Sequence, residues 1–165
     1  MRALVWIVED TWAATVAEAA AFLPDDSDVT LLHVASTEPE AVARGARHGL
    51  LGRRPPPPAA HEPLRAISDQ AAQELLAEAE TRLGRPARRE ARRGRIEREV
   101  IAAAETMDIL VLARDGDRER LGPHSLGPAA RFVVDHAPCR VLLIWPDVAP
   151  AMETIPPAPP HGARP

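Results

Sequence analysis

Four short runs of apolar residues predict the strands of one sheet. They are rich in leucine and β-branched residues and are continuous rather than alternating, which is typical of strands covered on both faces. Strands of that kind are normally parallel, so we expect a parallel sheet. The four runs are Ala3–Val8, Val29–Val34, Asp108–Ala113 and Cys139–Trp145.

Segments with helical periodicity separate these runs. In one of them, Ile96, Val100, Ala103 and Met107 recur at spacings of three and four, which gives a helix with one apolar face. The alternation of helices and strands predicts a doubly wound α/β fold. The predicted helices are Thr11–Leu23, Ser68–Gly84, Arg95–Met107 and Pro128–Pro138.

A fifth, weak strand is predicted at Arg85–Arg93, where alanine and proline are the only apolar residues. Charged strands of this kind belong at a sheet edge, where they discourage pairing with other chains. Eight arginines and two glutamates lie between Arg82 and Arg98. A solvated edge is the favoured interpretation of this stripe, and contact of Arg88–Arg98 with an anionic polymer such as nucleic acid is the alternative.

Composition divides the chain of 165 residues into a core and two proline-rich segments. We expect one domain over residues 1–146, with an irregular insertion at about 36–66, and a disordered tail over 147–165. The run of four prolines in the insertion favours a stiff spacer over a ligand for a proline-binding partner.

The single cysteine and the weakly negative charge bear on location and partners. One cysteine excludes an intramolecular disulfide and favours the cytoplasm. The first apolar run is too short for a membrane span. A formal net charge of −4 argues against general binding of nucleic acid.

Loops at the carboxyl ends of parallel strands form the ligand sites of doubly wound sheets. With the first and third apolar runs at the sheet centre, such a site consists of Val8–Thr11 and of the long loop Arg114–Gly127. The second of these carries three glycines, at positions 116, 122 and 127, and leads into a predicted helix.

Four blocks of the sequence resemble the universal stress protein family in order and spacing. They are LVWIVEDTWAATVAEAAAFL, VTLLHV, RRGRIEREVIAAAETMDILVLA and GPAARFVVDHAPCRVLLIW. The resemblance covers residues 2–146 except the proline-rich insertion. It implies an open five-stranded parallel sheet of order 3-2-1-4-5, of the adenine nucleotide alpha hydrolase-like class. It also implies a homodimer through the last strand, at Val141, Leu143 and Trp145.

Many members of this family bind ATP through a loop written G-x2-G-x9-G-(S/T), an aspartate after the first strand and the backbone of a valine ending the second. The positions that correspond in this chain are Glu9, Thr11, Val34, Arg114, Asp117, Gly127 and Pro128. Only Val34 and Gly127 match the pattern, since Glu9 and Thr11 are conservative replacements and the other three loop positions differ.

These differences weaken a phosphate site. Such a site depends on glycines that let backbone N–H groups approach the ligand at a helix start. Pro128 removes one donor and supplies no hydroxyl, and Asp117 places a carboxylate near the expected triphosphate. We therefore expect a non-catalytic binding or regulatory module of the stress response with a degenerate nucleotide loop and no cofactor. The alternative is an ATP-binding member that uses Arg114, Arg118 and Gly127.

The sequence gives still weaker support for hydrolysis, metal binding or a reactive cysteine. His124 and Ser125 share a loop with Asp115 and Asp117, but neighbouring residues of a loop rarely hold the geometry of a Ser-His-Asp triad, and no nucleophile elbow is present. The six histidines show no metal-ligand spacing. We expect His33 to be a hydrogen-bonded core residue and Cys139 to be a packed, unreactive thiol.

Overall fold

A computed structural model describes residues 1–37 and 62–157 of the chain. Five parallel strands form one sheet of order β3-β2-β1-β4-β5, which confirms the predicted fold class and strand order. The strands are β1 Arg2–Trp6, β2 Asp28–Ser36, β3 Arg88–Gly94, β4 Ile109–Ala113 and β5 Arg140–Ile144.

In the described ranges, four helices cover the two faces of the sheet. Helices α1 and α2 pack on one face, and α3 and α4 contribute to the core on the other. The helices are α1 Trp12–Phe22, α2 Glu62–Leu83, α3 Ile96–Ala104 and α4 Pro128–His136, and short 3₁₀ turns span Pro123–Ser125 and Met152–Thr154. Among the described residues, no helix is long and apolar enough to cross a membrane.

Strand β1 lies at the centre of the sheet, and this position explains why its residues 3–6 are all apolar. Leu4 pairs with Thr30 of β2 on one side and with Leu110 of β4 on the other. Its side chain belongs to the core under α3 and α4, whereas those of its neighbours Ala3 and Val5 belong to the core under α1 and α2. Both sets are fully buried, as a strand covered on both faces requires.

Strand β3 lies at the sheet edge, as its charged sequence predicts. Its arginines contact carboxylates from the neighbouring elements. Arg89 lies 3.4 Å from Glu80, and Arg93 lies 2.8 Å from Asp69. Arg92 is 2.7 Å from Glu90, within the strand itself. These contacts lower the positive potential that an anionic polymer would meet, which favours the interpretation as a solvated edge.

Several element boundaries differ from those predicted. Strand β2 continues past Val34 to Ser36, because its pairing with β3 extends to the Ser36–Gly94 pair. Helix α2 begins at Glu62 rather than at residue 68, and Pro63 in its first turn needs no intrahelical N–H donor there. The predicted insertion at 36–66 therefore overlaps regular structure at both ends, and its residues 38–61 lie outside the described part.

The segment expected to be a disordered tail is partly described. Residues 147–157 contact the loop that follows β4: the Leu121 N–H donates to the Thr154 hydroxyl at 3.0 Å, and Arg118 lies 3.1 Å from Asp147. Residues 158–165 lie outside the described part. The domain boundary at residue 146 stays a prediction.

Candidate functional site

An open cleft of about 660 Å³ lies at the carboxyl ends of β1 and β2. Glu9 and Val34, two of the positions singled out from the sequence, line it together with Asp115 from the loop after β4. Side chains of α2 and α3 complete the lining among the described residues, including Leu75, Glu78 and Ile96. The cleft is therefore where doubly wound sheets place their ligands.

The loop that follows β4, residues 114–127, folds back on itself. The Gly116 N–H donates to the Ser125 carbonyl at 3.0 Å, and the Asp117 N–H donates to the His124 carbonyl at 2.8 Å. A Cβ atom at Gly116 would lie 2.3 Å from the His124 carbonyl oxygen, so only glycine allows this approach. The loop closes as a narrow hairpin before it enters α4.

At the start of α4, an internal carboxylate takes the place of an external anion. Asp115 Oδ1 accepts a hydrogen bond from the Gly127 N–H at 2.7 Å. The Asp115 carboxyl atoms also lie 3.0–3.2 Å from where a Cβ of Gly127 would be, so a larger residue there would require this side chain to shift slightly. A negative charge is favourable at a helix N-terminus because unpaired N–H groups and the helix dipole converge there.

Pro128 is the first residue of α4, and Gly127 is the N-cap. A proline at this position has a suitable φ and lacks an N–H that would in any case be unpaired within the helix. Pro128 thus stabilises the start of α4 and offers no N–H donor to a ligand. Pro128 is exposed and does not line the cleft.

The charged loop residues face away from the cleft or are already bound. Arg114 donates to the hydroxyl of Ser125, and its guanidinium carbon lies 4.7 Å from the centre of the Trp145 ring. Asp117 is exposed, and its carboxylate accepts only from the Glu119 N–H at 3.0 Å. The carboxylate that reaches the helix start is that of Asp115, which motif alignment does not single out.

The residues after β1 are divided between two depressions. Thr11 is buried before α1, and its carbonyl accepts from the Thr15 hydroxyl at 2.9 Å. It lines a smaller depression of about 280 Å³ that also includes Arg118. Glu9 borders both depressions, and its side chain is 77 % exposed. The structure therefore brings together Glu9 and Val34, but places Thr11 elsewhere.

In this arrangement, the backbone N–H groups of the loop do not fit the phosphates of a nucleoside triphosphate. The Gly127 N–H is already bound by Asp115, and residue 128 has no N–H to offer. Two further backbone donors, at positions 116 and 117, are used in closing the hairpin. A phosphate cradle needs several such donors free and convergent.

The remaining candidates have structural partners. The hydroxyl of Ser125 is buried and donates to the Gly122 carbonyl at 2.7 Å, so it is not held as a nucleophile. Within the described ranges, no group of three metal-ligating side chains was found. Burial raises the pKa of the Cys139 thiol, and the charge of Asp108 adds to the effect, as expected of a packed thiol.

Comparison with known proteins identifies the fold and the family that the chain resembles. The model of the universal stress protein family matches residues 4–144. Universal stress protein UspA from Lactobacillus plantarum is 20 % identical, with a TM-score of 0.54 over 87 % of this chain and 97 % of that chain. The hypothetical protein MJ0577 is 16 % identical, with a TM-score of 0.63 over 87 % and 94 %.

A third solved structure is a universal stress protein in complex with cAMP. It is 13 % identical, with a TM-score of 0.53 over 89 % of this chain and 98 % of that chain. Among the curated proteins, none matches this sequence.

Proposed function

Because the chain belongs to the universal stress protein family, we propose that it is a non-catalytic binding or regulatory module of the stress response whose phosphate loop is degenerate. The hydrogen bond from the Gly127 N–H to Asp115 carries this proposal. An internal carboxylate at the helix start competes with a phosphate for the same donor and repels it.

The charges around the cleft support the same conclusion. Among the described residues, four carboxylates line it, those of Glu9, Glu74, Glu78 and Asp115, against one guanidinium, that of Arg93. Arg93 itself lies 2.8 Å from Asp69. Two unit charges of like sign repel by about 4 kcal/mol at 4 Å for an effective dielectric constant of 20. A polyphosphate entering this cleft meets repulsion that few free donors offset.

The proposed absence of catalysis is supported by how the nucleophile and base candidates are used. Ser125 donates to a carbonyl and accepts from Arg114, and His33 is hydrogen-bonded to the carbonyl of Ile7 at 3.0 Å. A triad needs the base to hydrogen-bond to the nucleophile, whereas the side chains of His33 and Ser125 both bond to backbone carbonyls. The proposal includes a cytoplasmic location, which the single cysteine supports.

The alternative is an ATP-binding member with a variant loop, and the cAMP complex of one relative is the observation that favours it. In that alternative, Arg114 and Arg118 hold phosphate through their side chains. Arg114 would have to leave Ser125 and Trp145, and Arg118 would have to leave Asp147. Both changes cost contacts that the loop already makes.

Thermal melting with and without ATP and Mg²⁺ separates the two functions. A ligand at 100 times its Kd adds about 2.7 kcal/mol of stability, which raises Tm by several degrees in a domain of this size. We expect no shift for the natural sequence up to millimolar ATP. A clear upward shift would reverse the proposal in favour of the alternative.

A matched pair of variants tests whether Asp115 is the residue that prevents ATP binding. The first combines Arg114→Gly, Asp117→Gly and Pro128→Ser, which restores the family pattern. The second adds Asp115→Ala. We expect ATP to stabilise only the second, because only there is the Gly127 N–H released. Equal stabilisation of both would show that Asp115 does not block the site.

The proposal also includes a homodimer. Strand β5 is the last strand of the sheet, and Val141 and Leu143 on it are only partly buried in the single chain. A second copy that pairs along this edge would cover both residues and remove an unprotected strand edge. Trp145, which the sequence predicts as an anchor, lies just beyond the strand and is also partly buried.

A further inference from the structure

His33 lies at the wall of the cleft and offers it an acceptor. The residue is 8 % exposed, and its ring nitrogen Nδ1 lies 3.0 Å from the carbonyl oxygen of Ile7. A carbonyl oxygen only accepts, so Nδ1 carries the proton in this contact. In the neutral ring, Nε2 is then left with a lone pair and no proton.

The second acceptor is the carboxylate of Glu9, whose Oε1 lies 3.9 Å from His33 Nε2. That distance is too long for a direct hydrogen bond. The distance does suit a donor group placed between Nε2 and Oε1. A nitrogen atom can lie about 2.8 Å from each of two acceptors that are 3.9 Å apart. Within the described residues, Nε2 of this buried imidazole has no hydrogen-bond donor, and it lies beside an anionic acceptor.

The group that fits between them is a primary ammonium. It has three donors and no acceptor, and its positive charge matches the carboxylate of Glu9. Glu74, Glu78 and Asp115 along the same cleft add to the attraction for a cation. A divalent metal ion is a poorer occupant, since no group of three ligands was found in the part of the chain that the structure describes.

The rest of the cleft suits an apolar body. Trp6, Val34, Leu75 and Ile96 line it, and the first two are almost fully buried. Ligand sites of this type combine an apolar lining with a few polar groups that fix orientation. The volume of about 660 Å³ is ample for a bicyclic ring with a short side chain.

We propose that this cleft binds a small organic cation, a primary amine on a flat apolar body, with the ammonium held between His33 Nε2 and the carboxylate of Glu9. The inference deepens the proposed function by naming the ligand class of the binding module. It rests on that proposal only in treating the domain as a binding module, because the ammonium is held by His33 and Glu9 and not by the backbone donors of the loop before α4.

Calorimetric titration with three matched probes tests the class of ligand. Tryptamine carries the amine, tryptophol replaces it with a hydroxyl, and indole-3-propionate replaces it with a carboxylate. At pH 8, above the usual titration range of imidazole, we expect tryptamine to bind at least about tenfold more tightly than tryptophol, as a charge-assisted hydrogen bond provides. Indole-3-propionate should bind most weakly of the three.

A pair of neutralising variants tests the position of the amine. Glu9→Gln removes the charge beside His33, and we expect tryptamine affinity to fall about tenfold. Asp10→Asn removes one charge at the next, also exposed, residue, which does not line the cleft. It should change the affinity by less than about twofold, since exposed charges are screened.

Three results would overturn the inference: no binding of tryptamine to the folded protein, equal or tighter binding of indole-3-propionate, or equal effects of Glu9→Gln and Asp10→Asn. An ATP titration of the same preparation keeps the two proposals apart. ATP binding would contradict the degenerate loop, whereas a failure of tryptamine alone would contradict only the amine site.

Discussion

The guanidinium of Arg114 stacks on the ring of Trp145, with 4.7 Å between its central carbon and the ring centre. Arg114 directly follows β4 and Trp145 directly follows β5, so the contact joins neighbouring strands just beyond their carboxyl ends. The same guanidinium donates to the buried hydroxyl of Ser125. The Arg114 side chain thus connects the loop after β4 to the residue that follows β5.

The carboxylate of Asp115 should contribute measurably to stability. We expect Asp115→Ala to lower the free energy of unfolding by about 1–3 kcal/mol, because it leaves the Gly127 N–H at the helix start without its charged partner. Asp117→Ala is the matched control, since that exposed carboxylate accepts only from the Glu119 N–H. It should cost less than about 0.5 kcal/mol, as surface changes usually do.

Urea denaturation of the two variants, at equal ionic strength, gives the comparison. A larger loss for Asp117→Ala than for Asp115→Ala would contradict the assignment of the carboxylate to the helix start.

Most of the fold could be predicted from the sequence because burial on both faces leaves a strong pattern. Strand β4 is wholly apolar, β1 is apolar except at Arg2, and β2 is apolar at most of its buried positions; each is covered on two sides. Strand β3 could be placed at the edge for the opposite reason, since its arginines have no place in a core. Boundaries such as the end of β2 depend on pairing with another strand, which the local sequence does not contain.

The candidate site was less predictable. Motif spacing indicates Asp117 as a carboxylate near the expected phosphates, whereas in the structure the carboxylate at the start of α4 is that of Asp115. Which of the two reaches the helix depends on how the loop closes, and this is a tertiary property. Gly116 is the one available signal, because a glycine between two aspartates marks a close backbone approach.

The amino-terminal strand has a pH-dependent attachment. Asp108 accepts from the Arg2 N–H at 2.7 Å and from its guanidinium at 3.1 Å, and both hydrogen bonds, the backbone one first, lower the pKa of this carboxyl. A lowered pKa in the folded state means that the stabilisation is present above the ordinary aspartate range and is lost as the pH falls through the folded-state pKa.

We therefore expect Asp108→Asn to be less stable than the natural sequence at pH 7 and to approach it at pH 2. Urea denaturation at a series of pH values measures the difference. Because the carboxylate is exposed, the difference should be small and should shrink in 1 M salt. A difference that does not change with pH would contradict this origin.

The reactivity of the only cysteine, Cys139, provides a test of its burial. Burial raises the pKa of Cys139, so less of the thiol is ionised at pH 8 than in a free cysteine. We expect its reaction with a disulfide reagent to be slower than that of glutathione under the same conditions. The rate should rise toward the free-thiol value in denaturing urea, where burial is lost. Reaction at the glutathione rate in the folded protein would contradict the packed thiol.

The exposed edge of β5 leads to the last prediction, which concerns assembly. We expect the natural sequence to show a solution mass of twice the 17.8 kDa of one chain. Leu143→Arg should give a single chain, because a charge would then be buried between two copies without a partner. Ile67→Arg is the matched control, since this leucine-sized residue is 66 % exposed and lies on α2, which packs against β2 and β3 at the side of the sheet opposite β5. It should leave the mass unchanged.

Light scattering after size exclusion measures the three masses, and circular dichroism establishes that each variant is folded. Leu143 also packs against the core under α3 and α4, so a Val141→Lys variant provides a second test should Leu143→Arg lose its fold. Arg114 already covers one face of Trp145, which leaves the strand residues rather than the indole to carry the contact. A folded Leu143→Arg or Val141→Lys variant that keeps the double mass would contradict pairing along this edge, as would a natural protein of single mass.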